Sequence, residues 1–281
     1  MPTNVSLRNN CPHSRGRTFA KMGSRGNKAM GRFETVAELY RYREPYSPEF
    51  FATVAARLAL TQQTRMLDVG CGPGNLVLGF APFVGSCTAI DPEAEMLRVA
   101  RANAFAADLH IDFVESTIEC LAPAECAFDF VTIGRAIHWL PRPETLAVLE
   151  QSVAAAGYIA ICGSMASDSP LNAWDEQFKN VRRAWASDPD ESRYKVDLDH
   201  WFSTSRFRKV DEIAVKLERC ASMAELIGRA LSFSVTSPAV LGERRPQFEA
   251  AVESALSPFA TAGAVPEELL VKATVFARPA G

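Results

Sequence analysis

From residue 65 to residue 163, short apolar runs alternate with longer segments whose apolar residues recur every three or four positions. TRMLDVG is a short apolar run ending at glycine, the mark of a strand buried on both faces. GNLVLGFAPF follows with helical spacing. SCTAIDP predicts a second strand, and PEAEMLRVARANAF a helix whose first turn is acidic, as the helix dipole prefers. LHIDFVEST and FDFVTIG predict the third and fourth strands. PRPETLAVLEQSVAAAG predicts a helix with proline near its start and glycine at its end, and GYIAICG a fifth strand. This alternation predicts a doubly wound α/β architecture, a mostly parallel sheet with helices on both faces. The preference for right-handed crossovers then restricts the topology.

The flanking segments differ. RFETVAELYRYREPYSPEFFATVAARLAL predicts two helical pieces broken at Pro45 and Pro48. From about residue 165 to 205 the alternation stops, which predicts a helical lid or insertion after the fifth strand. There Leu171, Trp174, Phe178, Val181 and Trp185 fall on one helical face. That face has two readings, packing onto the body of the protein or forming a wall of a ligand pocket. RFRKVDEIAVKLERC and LLVKATVFARP predict two more strands, separated by the helix SMAELIGRALSF. The strands then total seven, with antiparallel pairing at one edge.

Charge divides the chain. Residues 1–33 hold seven Lys/Arg and no acid, whereas the remainder carries 23 basic against 33 acidic residues. An acidic body argues against a nucleic-acid-binding enzyme, which shows a basic footprint. Residues 1–32, rich in Gly, Ser and Asn, read as a disordered basic arm. The arm is either a dispensable extension, a phosphate-seeking tail or a targeting segment. Residues 33–281 are then one domain. No run approaches the ~18–20 apolar residues of a membrane span, and no apolar signal core opens the chain, so a cytoplasmic protein is expected. The seven cysteines form no CxxC pair and are odd in number. They predict reduced thiols, with no disulfide frame and no metal site.

The candidate chemistry lies in LDVGCGPGN. Gly70, Gly72 and Gly74 stand between the first strand and a helix, where ligands of open α/β sheets bind. Their spacing is G-x-G-x-G, which fits the dinucleotide fingerprint G-x-G-x-x-G poorly. Asp68 precedes the turn; a carboxylate there repels a pyrophosphate and welcomes a cation. Asp91, at the end of the second strand, is placed to accept both hydroxyls of a ribose. A ribose with positive charge and no phosphate describes S-adenosylmethionine (SAM).

LDVGCGPG, AIDPEAEML, FDFVTIGRAIHWL and GYIAICG, in this order, resemble the class I SAM-dependent methyltransferases, over about Phe33 to Pro279. Within that family the chain is most similar to small-molecule methyltransferases of the trans-aconitate and malonyl-carrier-protein groups, through YREPYSP and AIHWL. Glu44 and Ser47 stand where those groups prefer proline. The resemblance implies a Rossmann-like fold and SAM as cofactor. It implies that Asp68, Gly70 and Gly72 contact the methionine tail, that Asp91 holds the ribose, and that Pro92 and Met96 lie beside the adenine. Thr117 and Ile118 take adenine-lining positions, although the usual acid is missing there. Gly134 and Arg135 would face the sulfonium and the acceptor, and Arg43 would cover the SAM carboxylate. His138 is the catalytic candidate, a general base of near-neutral pKa; it also reads as a loop-holding or substrate-binding residue. The expected activity is in-line methyl transfer to a small-molecule acceptor, with no nucleic-acid or membrane partner and with homodimerisation left open. A methyltransferase-fold protein that binds SAM without methylating, such as a cyclase, and a protein or RNA methyltransferase are the alternatives. No Asn-Pro-Pro-Tyr-like segment follows the fourth strand, which weighs against an amino-group methylator of nucleic acid or protein; whether O, N, C or S of a small acceptor is methylated stays open.

Overall fold

The computed structural model describes residues 36–121, 127–190 and 194–279. The basic arm, with Cys11 and His13, and also Cys126 lie outside the described residues.

Among the described residues seven strands form one mixed sheet in the order β3-β2-β1-β4-β5-β7-β6. They are β1 (Arg65–Val69), β2 (Ser86–Asp91), β3 (Asp112–Glu115), β4 (Phe128–Gly134), β5 (Val153–Ala166), β6 (Arg208–Ser222) and β7 (Ala264–Ala277). β1 to β5 pair in parallel, and β7 lies antiparallel to both β5 and β6.

Strand alternation divides the core into two layers. Met66, Ala89, Phe130 and Ala160 meet α1 (Pro48–Arg57) and α2 (Asn75–Phe80) on one face. Leu67, Ile90, Val131 and Ile159 meet α4 (Arg142–Ser152) and α6 (Leu198–Phe202) on the other. On the first face Phe80 is fully buried, edge-on to Phe51 at 4.9 Å and to Phe130 at 5.1 Å. Phe80→Ala is expected to lower stability by ~3–5 kcal/mol, the cost of an unfilled aromatic cavity, measured by urea unfolding.

A third cluster includes Ala221 of β6 and Val265 of β7, and its other buried residues come from helical segments. Trp174 and Phe178, at the start of and within α5 (Asp175–Trp185), pack with Leu226 and Leu231 of α7 (Met223–Leu231). Phe248 and Val252 of α9 (Arg245–Leu256) complete it. The aromatic face of 171–185 is therefore packing surface for a helical layer built from two segments, one after β5 and one after β6. The short α8 (Pro238–Leu241) belongs to the second segment.

Three boundaries depart from the sequence expectation. The helix predicted through Gly157 ends at Ser152, and β5 begins at Val153, which pairs with Phe128 of β4. The alanines of VAAAG favour helix, and pairing with β4 overrides that preference; a Cβ at Gly157 would stand 3.0 Å from the Asp129 carbonyl. β7 starts five residues before the predicted LLVKATVFARP, at Ala264. α9 was absent from the predicted elements altogether. Upstream, the first helical piece is a 3₁₀ turn, Ala37–Tyr42. The second is α1, with Pro48 at its start and Ser47 accepting from Phe50 N–H at 3.1 Å.

Candidate functional site

A cavity of about 590 Å³ opens at the C-terminal ends of β1, β2 and β4, where strand order reverses around β1. Such switch points are the usual ligand crevices of open sheets, and the volume lies within the ~300–1,000 Å³ of small-molecule sites.

The floor is the turn from β1 to α2. Gly70, Gly72 and Gly74 all have left-handed backbones, at φ +65°, +54° and +91°, a region glycine enters without strain. A Cβ at Gly70 would stand 2.7 Å from that of Ala136, whereas one at Gly72 would meet nothing closer than Met96 Sδ at 4.0 Å. Gly70 is thus required by packing, and Gly72 keeps the backbone clear for a ligand. Gly74 does not line the cavity; it caps α2 and closes the turn, its N–H donating to the Cys71 carbonyl at 3.0 Å.

Two buried carboxylates hold this turn. Asp91 Oδ2 accepts from Gly72 N–H at 2.8 Å and Oδ1 from Glu93 N–H at 2.9 Å. Asp68 Oδ1 accepts from Thr132 Oγ1 at 2.7 Å and Oδ2 from Val77 N–H at 3.2 Å. Burial pushes the Asp68 carboxyl up to about 7, against those two hydrogen bonds. Burial also raises Asp91, against its two backbone donors.

The roof is a strap, residues 36–47. Val36 and Ala37 pack with Met96 and Val99 of α3 (Ala94–Ala106), and Glu38 pairs with Arg98 at 2.7 Å. Tyr40 and Tyr46 of the strap line the cavity. Arg135, following β4, closes the far end. Its φ of +55° is unusual for a side-chain-bearing residue. Its guanidinium donates to the Glu44 carbonyl and lies 4.9 Å from the Tyr46 ring centre.

Of the residues singled out from sequence, Asp68, Gly70, Gly72, Asp91, Pro92, Met96, Thr117, Ile118, Gly134 and Arg135 line this one cavity. Arg43 does not; its guanidinium stacks 3.9 Å from the Phe233 ring centre. Nor does His138, whose ring packs 4.8 Å from Trp139 and 4.9 Å from Tyr194. His138 and Trp139 belong to one 3₁₀ turn, Ile137–Trp139, in which successive side chains point about 120° apart; Trp139 takes the cavity direction. Sequence reasoning missed Tyr40, Tyr46, Glu93, Ser116, Glu119, Trp139 and Leu140 as lining residues. YREPYSP and AIHWL were noticed as motifs, but nothing local tells which of their side chains turns inward.

The lining suits SAM. Four carboxyl groups (Asp68, Asp91, Glu93, Glu119) face one guanidinium (Arg135) among the described lining residues, a balance that favours a cation and opposes a pyrophosphate. Thr117 Oγ1 is buried without a hydrogen-bond partner, so a ligand polar atom has a donor or acceptor waiting. Met96, Ile118, Trp139 and Leu140 supply apolar surface for a base.

Residues 66–156 match the family model described as a methyltransferase domain. A ubiquinone biosynthesis O-methyltransferase of Methylocella silvestris is 35% identical over 101 residues, which is 36% of this chain and 35% of that protein. The match thus spans about a third of the relative's length. In overall shape the chain resembles a type II methyltransferase structure from Anaeromyxobacter dehalogenans, at TM-score 0.59 and 17% identity, over 84% of this chain and 97% of that one. It also resembles a SAM-dependent methyltransferase from Thiobacillus denitrificans solved with S-adenosylhomocysteine, at TM-score 0.52 and 17% identity, over 88% and 97% of the two chains. Residues 66–156 match a methyltransferase domain, and the chain shares its fold with these two methyltransferase structures. Among the described residues no helix is long and apolar enough to cross a membrane.

Proposed function

We propose that this protein transfers the methyl group of SAM to a small-molecule acceptor. The observation that carries the reading is the acidic cavity floored by left-handed glycines, with Asp91 at the end of β2. SAM supplies an electrophilic methyl on a sulfonium, so the protein's share is orientation and exclusion of water. Asp91 keeps lone pairs for two ribose hydroxyls while its backbone donors fix its position. Asp68 lies beneath the loop and offers negative charge to an ammonium. Met96, Ile118 and Thr117 receive the base. Gly134 and Arg135 border the end of the cavity left for the acceptor. A small acceptor is favoured because the strap and the Ile137–Trp139 turn leave a cleft of ligand size, and because the relative from Methylocella silvestris is named a ubiquinone biosynthesis O-methyltransferase.

The test is S-adenosylhomocysteine release from SAM across a panel of hydroxyl, carboxyl, thiol and amine acceptors. Product with any of them supports transfer; SAM binding with no product across the panel favours a binding or cyclising role. His138→Ala is expected to leave SAM affinity unchanged, since its ring does not line the cavity. Turnover lost at unchanged affinity would make His138 a general base, and unchanged turnover would assign it to bracing Trp139 and Tyr194.

A further inference from the structure

The strap meets the helical layer at a buried ion pair that the cofactor site does not touch. Arg229 of α7 is 2% exposed and Glu267 of β7 is 0% exposed. Arg229 Nη1 and Nη2 donate to the two Glu267 carboxylate oxygens at 2.7 and 3.0 Å. The remaining edge of the guanidinium, Nε, donates to the Tyr42 carbonyl at 3.1 Å. Arg219 Nε also reaches Glu267, at 3.2 Å, and the charges of Glu44 and Glu225 act on Arg229 as well. One residue earlier, Gly228 leaves room for the Tyr42 ring; a Cβ there would stand 2.3 Å from Tyr42 Cδ2.

A buried ion pair is a poor source of net stability, because desolvation offsets most of its attraction. Here the pair does something else. It fixes a planar fork whose last donor grips a backbone carbonyl between Tyr40 and Tyr46, and both of those rings line the cavity. We propose that Arg229 is a positioning residue for the cofactor site: it holds the strap down over the cavity through the Tyr42 carbonyl, oriented by Glu267 and accommodated by Gly228. This rests on reading the cavity as the SAM site.

Two substitutions attack the contact from different sides. Arg229→Lys keeps a charge opposite Glu267, but a single ammonium lacks the fork that serves carboxylate and carbonyl together. Gly228→Ala pushes on the Tyr42 ring while improving helix propensity. Each is made in the full chain and measured for S-adenosylhomocysteine affinity by calorimetry, for trypsin cleavage after Arg41 and Arg43, and for the urea midpoint. Affinity should fall about tenfold, as for one lost charge-assisted hydrogen bond. Cleavage in the strap should accelerate, and S-adenosylhomocysteine should protect it less, while the urea midpoint of at least one variant stays near wild type. Wild-type affinity and wild-type cleavage in both variants would overturn the proposal. So would affinity that falls only in proportion to the urea midpoint, since that marks a structural role alone. If the unmodified protein fails to bind S-adenosylhomocysteine, the SAM reading falls instead, and the trypsin rates alone decide whether Arg229 holds the strap.

Discussion

Asp91→Ala is expected to weaken SAM binding by about 100-fold or more, the worth of hydrogen bonds from two hydroxyls to one carboxylate. The loss has two parts. The ribose loses its acceptor, and the N–H groups of Gly72 and Glu93, which now donate to the two Asp91 oxygens, lose theirs. Without that bridge the glycine turn and the start of α3 are no longer tied together. Asp91→Asn retains one carbonyl oxygen and should fall between the two. Calorimetric titration with SAM and S-adenosylhomocysteine measures all three proteins. Unchanged affinity in the alanine variant would remove Asp91 from the site and with it the reading of the β2 end.

The second large effect is electrostatic and is read in stability. Asp68 holds its proton up to about pH 7 in the folded chain, against an ordinary value of 3.8, because its carboxyl is buried. Between those two values the folded state carries a proton that the unfolded chain has released. Stability from this group is therefore complete below about pH 4 and is lost as pH rises through 7, a change of ~4 kcal/mol across the window. Asp68→Asn, which cannot ionise, should flatten that slope in urea unfolding followed from pH 4 to pH 8. A slope unchanged by the substitution would place the titration elsewhere. A cation seated above Asp68 favours the ionised form, so SAM binding near pH 7 should release a proton. The binding heat should then vary with the ionisation heat of the buffer in the wild type and not in Asp68→Asn.

The parts of the site legible in the sequence are those made by short stretches of chain. Three glycines at alternate positions after an apolar run permit a left-handed turn, and that turn locates Asp68 and, one strand later, Asp91. The alternating segments likewise located the parallel strands, because burial on both faces leaves an unbroken apolar run. Residues that enter the cavity from distant elements had no such mark. Tyr46 arrives from upstream of β1, and whether His138 or Trp139 faces inward depends on the phase of one 3₁₀ turn. Arg43 looked like a cofactor ligand from its motif, but the Phe233 ring, 190 residues away in sequence, claims its guanidinium. α9 did carry a local mark that the strand-and-helix reading passed over: Phe248, Val252 and Leu256 recur every four residues behind Pro246, and all three are buried against α5 and α7.

The position of β7 between β5 and β6 bears on how the protein is made. Among the described strands the last to be synthesised, β7, is slotted between two older ones, so β6 lacks its sheet partner until residues 264–277 have left the ribosome. Until then β5 presents a bare edge, with Ile159 and Ile161 among its side chains, while Asp68, the glycine turn and Asp91 are already complete. Open edges of this kind recruit other chains. Synthesis halted before β7 would therefore yield a nascent chain bearing every cofactor motif and an adhesive edge, and Arg229 would still be waiting for Glu267. A chaperone that shields β5 during translation should raise the yield of this protein more than added SAM does.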